Sequence, residues 1–540
     1  SFGLVSTYQS LGGRSGKWQY QGYFSFRRSD GYRENGASKF DAQFASISYL
    51  ANPRLSFTAE IGRSNYLYQL PGQLTDSMFL ENPRQSTRSR NYYGPEIWVP
   101  SFKVNWQVAQ RSKLEWTTSA ILGQRRSVLF DAFATVPDAI DPATGQYKPR
   151  TVDIDGYHSY TSELRFLQEY NLGGTHNVLA AGIRYINNDL HRRQQGKGTT
   201  GTGFDLSLTQ PVYGRDMHLK TQNVAVFVEN QFKPTDKLTL SPGVRIEKGL
   251  TRMLGEISYL APPDVPNNIE HAFPLFGLTG QYQINPKHRL FAGWSQAYRP
   301  VIFKDIVPGS VLERADKNLK DATGYNAEIG VSGSFGSRLK YNLSAFQLQI
   351  KNRMGNLLET DAAGNTYIYK TNIGNSLTKG LEVFVQASFW NTPVSSLSVF
   401  TSTAYLDAYY QDARIHLNGE NRDISGNRVE SVPRWISRNG VDLAYKKWSV
   451  NVLYSYTADS FADPANTVEP SANGAVGLVP SYSLWDTGIS FRLRYNILLR
   501  ATVNNIFDLK YFTKRPQFYP GPGIWPSDGR SMQFTVQTQF

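Results

Sequence analysis

The chain has 540 residues, no cysteine, only seven histidines and a formal net charge of +13. Disulfide frameworks, Cys-ligated zinc, iron–sulfur clusters and thiol chemistry are thereby excluded, and the basic excess points to anionic partners such as phosphate, carboxylate or lipid headgroups. Aromatic residues make up 13% and charged residues only 19%, a mixture rich in strand and turn formers and poor in helix formers. No run approaches the 18 apolar residues of a membrane helix.

Taken in chain order, the segments alternate with period two, the mark of strands with two unlike faces. Leu238, Leu240, Pro242, Val244 and Ile246 alternate with Thr239, Ser241, Gly243 and Arg245. Val450, Val452, Tyr454 and Tyr456 alternate with Ser449, Asn451 and Ser455, with Leu453 the exception. Ile497, Leu499, Ala501 and Val503 repeat the pattern, and Phe534, Val536, Thr538 and Phe540 close the chain with it. Tight turns are expected at Gly12–Lys17, Asn52–Arg54, Gln110–Lys113, Leu172–His176 and Lys233–Lys237. Five more follow at Asn285–His288, Gly336–Arg338, Thr392–Ser396, Tyr445–Trp448 and Leu493–Asn496. Their spacing of about 40 to 60 residues fits two strands of roughly ten residues and one long loop. Between them lie long polar segments, among them 68–97, 125–158, 188–218, 407–433 and 459–480.

Short turns at one end and long loops at the other mark outer-membrane barrels; sandwiches turn every 8–12 residues without that asymmetry. Nine intervals between ten turns hold two strands each, two strands follow the last turn and one precedes the first, which makes 21. Single-chain bacterial barrels have even strand numbers, and the 22-stranded barrel is the plugged-transporter class. The expectation is therefore an all-β transmembrane antiparallel barrel of that class, with 21 strands in this chain and the first strand absent. Ser1 is then expected near the loop end and Phe540 near the turn end. Residues 1–11 are expected not to pair along the final strand, leaving a gap one strand wide.

Specific segments then resemble the barrel of TonB-dependent outer-membrane receptors. Lys17 to Asn35 (KWQYQGYFSFRRSDGYREN) resembles their third strand and following loop, and Trp294–Pro300 (WSQAYRP), Asn326–Phe335 (NAEIGVSGSF) and Thr371–Val383 (TNIGNSLTKGLEV) resemble further segments in the family's order. Val503–Phe512 (VNNIFDLKYF) resembles the penultimate strand, and the terminal Phe540 matches the family's barrel-assembly signal. Tyr68–Gly94, with its Pro-Gly, Leu-Thr-Asp and Pro-Arg-Gln-Ser elements, resembles a loop of the ferric dicitrate receptor type. The resemblance implies that residues 1–540 are the receptor's barrel domain, lacking the N-terminal plug, the TonB box and the first strand. It implies residence in the bacterial outer membrane and import of a ferric chelate of the ferric citrate kind. Implied partners are the TonB–ExbB–ExbD complex through the plug, the barrel assembly machinery, lipopolysaccharide and outer-membrane lipid. No cofactor, resident metal, nucleic acid or enzymatic activity is expected.

Candidate ligand residues are the cations and neighbouring polar groups of the loops. Arg84, Arg88 and Arg90 precede Tyr92 and Tyr93, and His191 leads into Arg192, Arg193 and Gln194. Guanidinium groups bind carboxylates through paired charge-assisted hydrogen bonds; the bland alternative is a solvated loop or a lipopolysaccharide contact. A third basic stretch, Arg414, Arg422, Arg428, Arg434 and Arg438, is interleaved with Asp407, Asp412, Glu420, Asp423 and Glu430 and reads as a salt-bridged loop. Arg245 and Arg500 are expected to face the lumen without a ligand role. Gly196, Gly198 and Gly201 spell G-x-G-x-x-G but lack the strand–helix context of a dinucleotide site. Trp98, Trp116, Trp294, Trp448, Trp485 and Trp525 are candidates for interfacial girdles. Alternative readings are the same architecture with another siderophore, haem, a sugar or a peptide as ligand, or a barrel subunit of a larger outer-membrane assembly.

Overall fold

The computed structural model describes residues 1–540 except 263–264, 266–267, 310–312, 362–363, 365, 418, 495 and 518–520. Twenty-one long strands follow one another along the chain. They are β1 (Val5–Ser15), β2 (Trp18–Ser29), β3 (Ser38–Asn52), β4 (Leu55–Gln69), β5 (Tyr92–Ala109), β6 (Ser112–Leu129) and β7 (Thr151–Leu172). Next come β8 (Thr175–Lys197), β9 (Arg215–Gln231), β10 (Leu238–Ile257), β11 (Asn268–Asn285), β12 (His288–Arg299), β13 (Ala322–Phe335) and β14 (Leu339–Thr360). The last seven are β15 (Thr366–Asn391), β16 (Ser395–Gln411), β17 (Trp435–Tyr445), β18 (Trp448–Thr457), β19 (Tyr482–Arg494), β20 (Ile497–Asn504) and β21 (Ser531–Thr538).

Each strand pairs antiparallel with the next, from β1–β2 through β7–β8 to β20–β21. The sheet reaches 22 strands because Glu313–Ala315 adds to β15 in parallel. The ten expected tight turns fall between successive strands at one end, the last of them, Leu493–Asn496, including a position outside the described residues. The first is tighter than its sequence suggested: Gly12 and Gly13 belong to β1, and the chain reverses only at Gly16–Lys17. The β7–β8 reversal uses Gly173 and Gly174, both at positive φ (58° and 82°), the backbone that a two-residue hairpin with right-handed strand twist demands. The end strands β1 and β21 share no ladder among the described residues. They touch at the loop end, where the Ser1 amino group donates to the Met532 carbonyl (2.7 Å) and the Met532 N–H donates to Ser1 Oγ (2.7 Å).

The alternation sorts into two faces. One is an exposed apolar band that includes Tyr20, Ile47, Ile61, Ile183, Val226, Ile329, Leu381, Val441 and Ile489. The opposite face carries residues such as Arg245, Glu328, Glu382 and Arg438. Five of the six tryptophans expected in girdles, Trp98, Trp116, Trp294, Trp448 and Trp485, are exposed on the banded sheet. Trp116 and Trp448 lie near the tight turns, and the other three nearer the loops. Trp525 departs from the expectation: it sits in the final loop and its indole N–H donates to the Gly521 carbonyl (3.0 Å). No helix is long and apolar enough to cross a membrane, so any crossing is by strands.

Candidate functional site

The buried clusters of this protein lie toward the loop end, where loops pack on the loop-end residues of the strands, as at Met217, Met253 and Ile269 or Val128, Val152 and Ile154. Leu74 and Ile524 are fully buried and exchange backbone hydrogen bonds (2.8 Å each way), joining the β4–β5 loop to the last one. All five buried arginines among the described residues, Arg33, Arg88, Arg90, Arg150 and Arg515, also lie in loops. Arg515 grips Asp76 with two parallel bonds (2.6 and 2.8 Å) and donates to the Gly474 and Leu478 carbonyls. Asp76 opens the short helix α1 (Asp76–Glu81), capped by Thr75 Oγ1 accepting from the Met78 N–H. Arg33 donates to the Gly72 and Gln85 carbonyls, and its burial lowers the guanidinium pKa to about 10. Arginine thus fastens the β2–β3, β4–β5, β18–β19 and β20–β21 loops to one another.

The face opposite the apolar band, the inner face, gathers a polar and aromatic patch toward the loop ends of β2 to β8. Strands β7 and β8 have 22 and 23 residues, well beyond the roughly ten that a bilayer requires, so their loop ends stand clear of it. Asp155 on β7 is fully buried between Arg125 on β6 and Arg192 on β8, its cross-strand neighbours on both sides. Arg125 is ion-paired with it, and Arg192 Nε donates to Oδ1 at 3.2 Å. Tyr157 shares this face, within the field of Arg125, Arg192 and Tyr93. Tyr93 stands opposite Tyr68. Tyr68 stacks on Tyr66 (5.9 Å), and Tyr66 contacts Phe40 (4.6 Å). Partial burial, reinforced by Tyr66, pushes the Tyr68 hydroxyl above the ordinary tyrosine range, while Arg27 opposes the shift. The patch thus offers guanidinium N–H donors, phenol groups and ring faces, suited to an anionic ligand with flat or chelated surfaces.

The sequence candidates divide between this patch and other tasks. Arg192, Tyr93 and Gln194 fall on the inner face. Arg88 and Arg90 do not line it: they are 1% and 0% exposed. Arg88 donates to the carbonyls of Phe130, Ala132, Phe133 and Val136, and Arg90 is bound to Asp138 (2.5 Å) and stacked on Tyr147 (4.1 Å). A run of backbone carbonyls left over by a loop is a strong competitor for a nearby guanidinium, which explains the difference. Arg84 stays exposed but is pinned, with Nε donating to the Tyr32 carbonyl (2.9 Å) and the group over the Phe2 and Tyr32 rings. Tyr92 and Arg193 point to the outer side, against Phe204 (6.1 Å) and Tyr213 (5.8 Å) respectively. Adjacent strand residues must face opposite ways, so neither Tyr92–Tyr93 nor Arg192–Arg193 can act as a pair.

Arg27, Phe40, Tyr66, Tyr68, Arg125, Asp155 and Tyr157 were not among the candidates. The spacing of Tyr66 and Tyr68 by two was the available signal, since it places both on one face. The third basic stretch is salt-bridged, but outward to other elements: Arg428 to Asp459 (3.3 Å), and Glu430 to Arg353 (3.6 Å). Arg245 faces inward as expected and is bonded to Glu247. Gly196 lies at the end of β8 and Gly198 bridges to Leu208, so the glycine motif is a strand end and loop.

Comparison with known proteins bears on this arrangement directly. Residues 5–506 match the family described as "TonB dependent receptor-like, beta-barrel". The chain belongs to that family. Similar solved structures include the unliganded ferric citrate transporter FecA, with TM-score 0.81 and 20% identity over 99% of this chain and 76% of that one. The siderophore receptor PiuA of Acinetobacter baumannii gives TM-score 0.78 and 16% identity over 99% and 79%. Among curated relatives, the vitamin B12 transporter BtuB of Vibrio vulnificus is 23% identical over 238 residues, 44% of this chain and 33% of that protein. The metal-pseudopaline receptor CntO of Pseudomonas aeruginosa is 20% identical over 402 residues, 71% of this chain and 51% of that protein. This family member therefore spans between a third and about half of the curated relatives it matches. At these identities the solved structures speak for the fold.

Proposed function

We propose that the chain is the barrel domain of an outer-membrane receptor that imports a ferric chelate in a TonB-dependent way, with a ferric citrate-like anion first among ligands. The observation that carries this reading is the Arg125–Asp155–Arg192 row on the inner face, beside Tyr68, Tyr93 and Tyr157 and toward the loop end of the sheet. A carboxylate-rich chelate would be drawn to the two guanidiniums, with Tyr68 and Tyr157 as further hydroxyl donors. Similarity to proteins described as transporters or receptors for ferric citrate, siderophores and vitamin B12 supports the class. In this reading a segment preceding Ser1 supplies the plug, the TonB box and the strand between β1 and β21. Energy then comes from the TonB–ExbB–ExbD complex, and the barrel's part is to hold the ligand and wall its passage.

The test is ligand binding by the complete receptor. Replacing Arg125 and Arg192 together with Ala is expected to weaken ferric citrate binding by at least about 100-fold, since two charged hydrogen bonds at roughly 1.5–3 kcal/mol each sum to about 3–6 kcal/mol. Arg84→Ala with Arg193→Ala is expected to change it little. Equal affinity in the first double variant would remove the inner row from the site. A second reading, a chelate bearing aromatic rings, is favoured by the Phe40–Tyr66–Tyr68 stack; competition of such a chelate against ferric citrate decides between them.

A further inference from the structure

Arg150 stands just before β7 and is 1% exposed. Its Nη1 donates to the carbonyls of Arg90 (2.7 Å) and Gly203 (2.8 Å). Nε and Nη2 are closed off from solvent, and neither has a hydrogen-bond partner. These two groups form one edge of the guanidinium plane, the fork that takes an oxyanion through two parallel bonds. Among the described residues no other side chain leaves two buried donors unmatched, and a buried donor without a partner calls for an explanation. The fork lies apart from the Arg125–Asp155–Arg192 row. Val152 and Ile154 alternate with Asp155 and pack under Phe204 on the opposite side of the wall, where the β8–β9 loop that carries Gly203 folds over them.

The surroundings are short of negative charge. Arg90 sits beside Arg150, Lys148 lends its carbonyl to Arg90 (3.3 Å), and Lys197 pairs with Thr151. Against these four cations stand two carboxylates, Asp138 and Asp205. Asp138 is held by Arg90, and Asp205 is spent on its own loop, accepting from Thr199 Oγ1 (2.9 Å) and the Ser207 N–H (2.9 Å). Burial, and then the like charge of Arg90, hold the Arg150 guanidinium below its ordinary pKa, as befits a buried cation that lacks a counter-ion. The glycine motif gains a reason here. A Cβ at Gly198 would stand 2.9 Å from the Arg150 carbonyl oxygen, so only glycine fits. A Cβ at Gly201 would lie 3.9 Å from Nη2 and 3.4 Å from Thr199 Oγ1. Gly201 is exposed, so its bare Cα leaves a way from solvent to the fork.

We infer that the Nε–Nη2 edge of Arg150 binds one small, free tetrahedral oxyanion, phosphate or sulfate, which locks the 130–150 and 198–214 loops together. The ion enters by a shift of the Thr200–Gly203 tip, since the fork is covered when that tip is closed. The experiment uses the complete receptor, freed of lipid in detergent. Hydrogen exchange of the two loops is followed as phosphate or sulfate replaces chloride at constant ionic strength. Wild type is expected to exchange about tenfold more slowly in both loops at about ten times the half-saturating phosphate concentration, with β10 unchanged. Arg150→Lys keeps the charge without the fork, and Gly201→Leu fills the approach; both are expected to lose the phosphate effect. Gly201 is not at positive φ, so Gly201→Leu is expected to keep the wild-type rates in chloride, and it decides alone should Arg150→Lys not fold. Absence of a saturable effect in wild type overturns the site and leaves the fork to water. Slowing that persists in Gly201→Leu also overturns it and assigns the phosphate to Arg125 and Arg192. Slowing that extends equally to β10 does so as well, marking a general salt effect.

Discussion

At the residue scale, an arginine's surroundings decide its role more than its neighbours in sequence do. Arg88 and Arg90 sit two residues apart in a basic, tyrosine-flanked run, yet both are consumed by loop carbonyls and Asp138. Removing one partner from a buried pair leaves an uncompensated charge, typically about 3–5 kcal/mol. Arg90→Ala is therefore expected to open the 130–150 and 198–214 loops to protease at low enzyme concentration, with the strands unaffected. Equal protection of those loops in the variant would show the Arg90–Asp138 pair to be dispensable. A titration makes a second point about local environment. Tyr369 at the loop end of β15 is pushed up to about 12 from 10.0, by burial first and then by its hydrogen bond to Asp316. A raised folded-state pKa stabilises the protein fully below pH 10.0 and loses that contribution as pH climbs through about 12. Comparison with Tyr369→Phe by ultraviolet difference titration should show one phenol that ionises late; its absence from the difference spectrum would contradict the assignment.

At the element scale, the end strands set the strongest constraint. Backbone groups of a strand edge facing lipid cost several kcal/mol each when unpaired, and among the described residues β1 and β21 share no ladder, the chain start being tied to β21 by hydrogen bonds between Ser1 and Met532. The proposed upstream strand would satisfy both edges. Hydrogen exchange on the complete receptor is then expected to protect the β1 amides that do not bond to β2, to the degree seen in β10, and residues 1–540 alone should lose that protection. Rapid exchange of those amides in the complete receptor would exclude a strand in the seam. The loops behave as elements too. Arg515 and Asp76 are 439 residues apart and clamp two loops and α1, so Asp76→Ala should release the 458–481 and 505–530 segments together rather than singly, measured by their exchange rates.

At the scale of the whole molecule, two unlike media shape the sheet. The exposed apolar band with tryptophan at two levels fits a bilayer on the outside, and the charged opposite face fits water or a polar plug. Phe540 ends the chain at the tight-turn end, fully exposed beyond β21. If it is the assembly signal, deleting it is expected to lower outer-membrane insertion in cells severalfold while refolding of purified protein into detergent stays unchanged, because the residue contributes no packing. A matching loss in both assays would make its role structural.

Period-two alternation with short and long connections is a property of the local chain, so the sequence alone determined the all-β class, the ten tight turns and the number of long strands. Pairing in a sequential antiparallel sheet is between neighbours, which is why that order was legible as well. Which side chains converge was not. Asp155 meets Arg125 and Arg192 because three strands set their registers together, and Tyr68 meets Tyr93 across a loop of more than twenty residues. Likewise, no local pattern announces that Arg88 will find four carbonyls of another loop. Those outcomes depend on contacts distant in sequence, and only the tertiary structure decides them.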